Sequence, residues 1–233
     1  TFYKQVKKMI SLDRAQGRRG IYLSLLKLSI VALLIVLNTG SFANAQTPDS
    51  ADIVLYAPET TAKAGNWLTE ADATAAGGKR IQNPNLGAAK LSSALASPAN
   101  YFDLTFNAEA GEAYRLWMRG KATSNHYSND SVFVQFDHSV DKAGAARWRI
   151  GTSSAADWVL EDCGGCGMAG WGWQDNGYGP GALGPTITFG GGGVQTIRIQ
   201  RREDGIWIDQ IVLSPVTYLT TSPGATKDDT RIL

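Results

Sequence analysis

The chain has 233 residues, with 22 Lys and Arg against 21 Asp and Glu, 26 Gly, 7 Trp and 2 Cys. The near-neutral total hides two unlike parts. Up to Ala45, seven bases (Lys4, Lys7, Lys8, Arg14, Arg18, Arg19, Lys27) face one acid, Asp13, a net of +6; the other 188 residues keep 15 bases and 20 acids, a net of −5. A mildly acidic body without a basic stripe argues against a nucleic-acid partner, and its many aromatic and β-branched residues argue against disorder.

In chain order, the N-terminal bases are followed by the apolar run Leu28 to Leu37, a polar break at Asn38-Thr39-Gly40 and the small-residue site Ala43-Asn44-Ala45. This reads as a signal peptide over residues 1–45, a helix cleaved before Gln46, because the run is too short for a bilayer that needs about 20 residues. Retention as an uncleaved anchor is the alternative. The expectation is a secreted or extracellular protein, with periplasm or cell surface as further destinations and membrane contact only through this segment. A short linker, 46–51, leads into one domain over 52–220. The tail 221–233, with Lys227-Asp228-Asp229-Thr230, reads as polar or as the start of a linker to neighbouring domains of a longer chain.

From Asp52 onward apolar residues recur with period two, as in Tyr101 to Phe106, Ser131 to Phe136 and Thr196 to Gln200, the mark of strands with one buried face. Further strands are expected at Ile53 to Tyr56, Ala113 to Arg119, Trp148 to Ile150, Trp158 to Glu161, Thr186 to Phe189 and Trp207 to Leu213. The region Thr60 to Pro98 is less regular and predicts turns with one or two short strands. About nine short strands without a long helix predict an all-β fold, an antiparallel two-sheet sandwich of jelly-roll type.

Five tryptophans, Trp67, Trp117, Trp148, Trp158 and Trp207, sit in or beside strand patterns, where burial explains them. Trp171 and Trp173 lie in a glycine-rich stretch, Gly170 to Gly179, that reads as a loop. Indoles held on a loop invite a sugar ring's C–H face, with Gln174, Asp175 and Asn176 as polar partners. The alternative is a plug, one ring folding back over the open end of the sandwich. A second polar cluster, Ser124 to Asp130, reads as a hairpin-type loop offering Asn129 and Asp130, or as ordinary turn chemistry.

Cys163 and Cys166 have the spacing of a redox dithiol but lack the strand-then-helix context that activates one. A zinc site needs four ligands, and His126 and His138 are the only histidines. In an exported chain the pair reads as a local disulfide. Glu161, Asp162 and Asp175 are acids near the aromatic stretch, yet no Ser, His and Asp set or HExxH stands out, so the expectation is no catalysis.

Four blocks carry a family resemblance: Tyr114 to Arg119, Asn129 to Val134, Trp171-Gly172-Trp173, and Thr196 to Ile199 with Arg202 to Leu213. Over about Tyr56 to Leu213 the chain resembles the galactose-binding-like β-sandwich modules of secreted bacterial proteins, similar to calcium-associated carbohydrate-binding modules. The resemblance implies a jelly roll, sugar recognition by loop aromatics, and a structural Ca2+ between an acid near the N-terminal strand and one on the last strand, here Glu59 and Asp209. Of the family's two close glutamates, Tyr56-Ala57-Pro58-Glu59 offers one.

The sequence thus predicts a secreted, non-catalytic module that binds a polysaccharide or glycan. Trp171, Trp173 and Tyr178 would stack on the sugar, and Asp175, Asn176, Asn129 and Asp130 would orient it. The alternative is a structural or adhesion domain using the same aromatics for protein–protein assembly.

Overall fold

The computed structural model describes residues 51–160, 169–179 and 181–233. The expected signal peptide, Glu161, Asp162 and the Cys163–Cys166 pair lie outside them. Among the described residues thirteen strands occur: β1 Ile53–Tyr56, β2 Ala62–Ala64, β3 Leu68–Ala71, β4 Lys79–Gln82, β5 Tyr101–Ala108, β6 Ala113–Ala122, β7 Ser131–Phe136, β8 Ser139–Val140, β9 Ala156–Val159, β10 Gly172–Asp175, β11 Ile187–Phe189, β12 Gly193–Arg201 and β13 Ile206–Ser214. No described helix is long and apolar enough to cross a membrane.

Every strand pair is antiparallel. One sheet runs β3-β4-β13-β6-β11-β8, with β1 also on β13 and β10 also on β6; the other runs β2-β5-β12-β7-β9. Consecutive strands β5, β6 and β7 alternate between the sheets, so the chain forms a two-layer jelly-roll sandwich. The period-two pattern sets the core: Phe102, Leu104 and Phe106 of β5 and Ile197 and Ile199 of β12 face Leu116 and Met118 of β6 and Ile211 and Leu213 of β13. Trp158 is seated because β6 carries Gly120, where a Cβ would lie 2.5 Å from its ring.

Four expectations need correction. Trp148 to Ile150 is not a strand: Trp148 sits at φ 49°, the left-handed region that strand pairing cannot use. Gly172 to Asp175, read as loop, is strand β10, paired with Gly120 to Trp117 of β6. The connection carrying Asn129 is not a hairpin loop, since β6 and β7 belong to different sheets. Finally, the tail 221–233 is neither linker nor free. It folds back over the outer face of β6, β10 and β13 through the backbone bonds Trp173 N to Ala225 O (2.9 Å), Asp228 N to Ala169 O (2.7 Å) and Asp229 N to Trp171 O (2.8 Å). Gly224 permits that approach, because a Cβ there would come within 2.6 Å of the Trp173 ring.

Candidate functional site

The alternation of β6 explains what the C-terminal segment covers. Tyr114, Leu116 and Met118 point into the core, so Arg115, Trp117 and Arg119 point outward beside Trp173 and Asp175 of β10. Residues 216–233 turn this outer face into a second small core, in which Trp117, Trp173 and Val212 pack with Tyr218 and Leu233. Trp173 is 0% exposed and Trp171 5% exposed.

The indole N–H groups are satisfied internally, Trp171 by Thr74 Oγ1 (2.9 Å) and Trp173 by the carbonyl of Arg231 (3.3 Å), while the Arg119 guanidinium lies 4.9 Å over the Trp171 ring. Neither indole is presented to a sugar, so the stacking role expected of this pair is withdrawn. The plug reading was nearer, though the rings are covered on a sheet face rather than at an open end.

The polar residues divide. Asp175 is buried; its carboxylate accepts from Arg115 Nη1 (3.2 Å) and from the backbone N–H of Gly177 and Gly184 (both 2.8 Å), and so shapes the 176–184 loop. Asn129 is buried and donates to the Thr123 carbonyl (3.1 Å), holding the β6–β7 connection. Asp130 is buried and its carbonyl accepts from Leu160 N (3.1 Å). All three are buried, and none of them lines the cleft that follows.

Tyr178 and Asn176 do. A cleft of about 380 Å3 is lined by Trp148, Ala155, Ala156, Asp157, Val159, Asn176, Gly177 and Tyr178. Edge strand β9 contributes Ala156, Asp157 and Val159 to the lining, together with the half-buried Trp148 and with Tyr178, which is 74% exposed. Asp157 projects to solvent from β9, and Asn176 anchors the loop by donating to the carbonyl of Pro185 (3.0 Å). The Trp148 carbonyl accepts from Phe136 N (2.8 Å), and the Arg147 guanidinium lies 3.7 Å over its ring. A left-handed tryptophan costs on the order of 1–3 kcal/mol, and such outliers gather at binding sites. The sequence signal that could have found Trp148 is the Gly144-Ala145-Ala146 approach, which supports no period-two pattern.

The carboxylates assigned to calcium do not suit it. Asp209 is fully buried on β13, and its Oδ2 accepts from Arg119 Nη1 and from Ala76 N (2.7 Å), so a guanidinium already supplies the positive charge. Glu59 is exposed and forms no ion pair among the described residues. No group of three or more His, Cys, Asp or Glu able to hold a metal occurs among those residues, whereas calcium takes six to eight oxygens.

Asp209 carries a measurable consequence. Burial, with its Oδ1 unbonded, pushes its carboxyl up to about 6 from the usual 3.8, and Arg119 and the Ala76 N–H only partly oppose this. An acid with a raised pKa binds its proton more tightly when folded. Its contribution therefore favours the fold fully below about 3.8 and is lost as pH rises through about 6. Between pH 7 and pH 5 the wild type is expected to gain about 1.4 kcal/mol relative to Asp209→Asn, roughly one pKa unit's worth. Urea unfolding at both pH values checks this; parallel changes in the two proteins would refute it.

Compared with known proteins, the chain matches no protein-family model and no curated protein. Among solved structures it is similar to the C-terminal family 6 carbohydrate-binding module of a marine laminarinase from Zobellia galactanivorans. That match has 12% identity and TM-score 0.42, over 70% of this chain and 99% of that one. It is also similar to a family 35 carbohydrate-binding module from Clostridium thermocellum (14% identity, TM-score 0.41, 70% and 98% of the chains). A third is a carbohydrate-binding module of lichenase 5A from Cellvibrio mixtus in complex with cellotriose (11% identity, TM-score 0.39, 71% and 98%).

Proposed function

We propose that this is a secreted, non-catalytic module that holds a saccharide in the cleft between Trp148 and Tyr178. The observation that carries the reading is the cleft itself: two aromatic rings, an edge strand and two polar groups, Asp157 and Asn176, in a volume suited to sugar rings. Aromatic faces cover a sugar's C–H surface, and the exposed Asp157 carboxylate bonds its hydroxyls. Asp157 is the one carboxylate among the described lining residues, whereas glycoside hydrolysis uses a placed pair. The basic segment and apolar run before Ala45 support export, and export supports a local Cys163–Cys166 disulfide.

So small a contact area makes single-site binding weak, on the order of micromolar to millimolar, and neighbouring domains would raise it by avidity. Affinity gel electrophoresis against a panel of plant and algal polysaccharides tests the proposal. Tyr178→Ala, at an exposed position, and Trp148→Ala are each expected to weaken retention about tenfold or more, which corresponds to about 1.4 kcal/mol, within reach of one stacked ring. The melting temperature of each variant tells lost binding from lost fold. Undiminished retention by both variants would remove the site.

A further inference from the structure

We infer that the cleft continues into an anion-binding subsite and that its ligand is an acidic saccharide, one bearing a carboxylate or sulfate; this rests on reading the Trp148–Tyr178 cleft as a sugar site. A second cavity, of about 260 Å3, is lined by Arg115, Asp141, Lys142, Arg147 and Pro185, among others. It adjoins the first on two sides. On one, Arg147 of the second cavity stacks 3.7 Å over Trp148 of the first. On the other, Asn176 of the first bonds the Pro185 carbonyl of the second (3.0 Å).

The charges lining this cavity are unevenly committed. Arg115 is taken up by Asp175 and by the carbonyls of Leu219 (3.0 Å) and Gly184. Asp141 turns its Oδ1 to the backbone N–H of Ala143 and Ala145 (both 2.9 Å), closing its own turn. Lys142 and Arg147 have no ion-pair partner among the described residues. Lys142 and Arg147, the latter stacked on Trp148, therefore outnumber Asp141 at this pocket, on a body whose net charge is negative. Ammonium and guanidinium donors bond carboxylate and sulfate oxygens more strongly than neutral hydroxyls. Asp157 is the one charge lining the aromatic side, whereas Lys142 and Arg147 outnumber Asp141 on the other, so the ligand has a direction: a neutral ring beside Trp148 and Tyr178, and an acidic one beside Arg147 and Lys142.

The test is affinity electrophoresis of the protein at low and high salt on three kinds of polymer. These are neutral β-glucan and xylan, the uronate polymers polygalacturonate and alginate, and a sulfated galactan. The variants are Tyr178→Ala, Lys142→Glu and Lys142→Glu/Arg147→Gln, with near-UV circular dichroism confirming the fold.

The expected result is about tenfold tighter retention on an acidic polymer than on neutral ones, lost with Tyr178→Ala and cut about fivefold or more by Lys142→Glu, the size of one charge-assisted bond. The uronate and sulfate arms tell which acid is meant. Retention on neutral polymers alone, abolished by Tyr178→Ala and untouched by Lys142→Glu, overturns the subsite and keeps the cleft. Acidic retention that survives the double variant also overturns the subsite. Retention on no polymer overturns both readings.

Discussion

Arg119→Ala is expected to destabilise the protein by about 3–5 kcal/mol, the usual cost of stripping one partner from a buried ion pair. Arg119 is 0% exposed and serves two acids: Nη1 pairs with Asp209, while Nε and Nη2 donate to Asp229 Oδ2 and to its carbonyl, both at 3.0 Å. Truncation leaves two carboxylates without their cation, one of them on the C-terminal segment. That segment loses its ionic tie to β6 as well as the guanidinium stacked on Trp171. Urea unfolding measures the loss, and a change under 1 kcal/mol would show that the network contributes little. Arg119→Met combined with Asp209→Asn should recover part of it, because the desolvated charge on β13 disappears along with its partner.

Trp173→Ala is expected to cost a similar amount, about 3–5 kcal/mol, while saccharide retention by the folded protein stays as it was. The ring is completely enclosed by Trp117, Val212, Tyr218 and Leu233, so deleting it leaves a cavity rather than an empty binding platform. Working near 10 °C keeps enough variant folded for both readings. Unchanged stability together with lost retention would place the sugar on Trp173 after all and remove the cleft from contention.

The sandwich was legible because a strand with one buried face writes its alternation into the chain. β5, β6, β7, β12 and β13 fall where Phe102/Leu104/Phe106, Leu116/Met118, Val132/Val134/Phe136, Ile197/Ile199 and Ile206/Ile208 announce them. β10 was missed because Gly170-Trp171-Gly172-Trp173 has no polar alternate: Trp173 occupies a face that is outer in the sheet and yet covered. The cover comes from residues 218–233, forty-five or more positions after Trp173, and local pattern carries no trace of it. The same blindness turned a well-docked segment into an expected linker, since Lys227 to Thr230 is polar in composition and only the carboxylate of Asp229 is buried. At the cleft, Tyr178 and Asn176 were found by residue type, whereas Trp148 was lost to a strand assignment that its left-handed backbone rules out.

The late position of the covering segment sets a timetable for synthesis. Arg119 leaves the ribosome 110 residues before Asp229, its partner. At 5–20 residues per second the nascent chain therefore carries an unneutralised guanidinium and uncovered indoles for roughly 5–20 seconds. During that interval the outer face carrying Trp117, Trp173 and Val212 stays without the Tyr218 and Leu233 that cover it in the folded protein. Emergence of residues 216–233, rather than pairing of the first strands, is then the event that lets the outer face close.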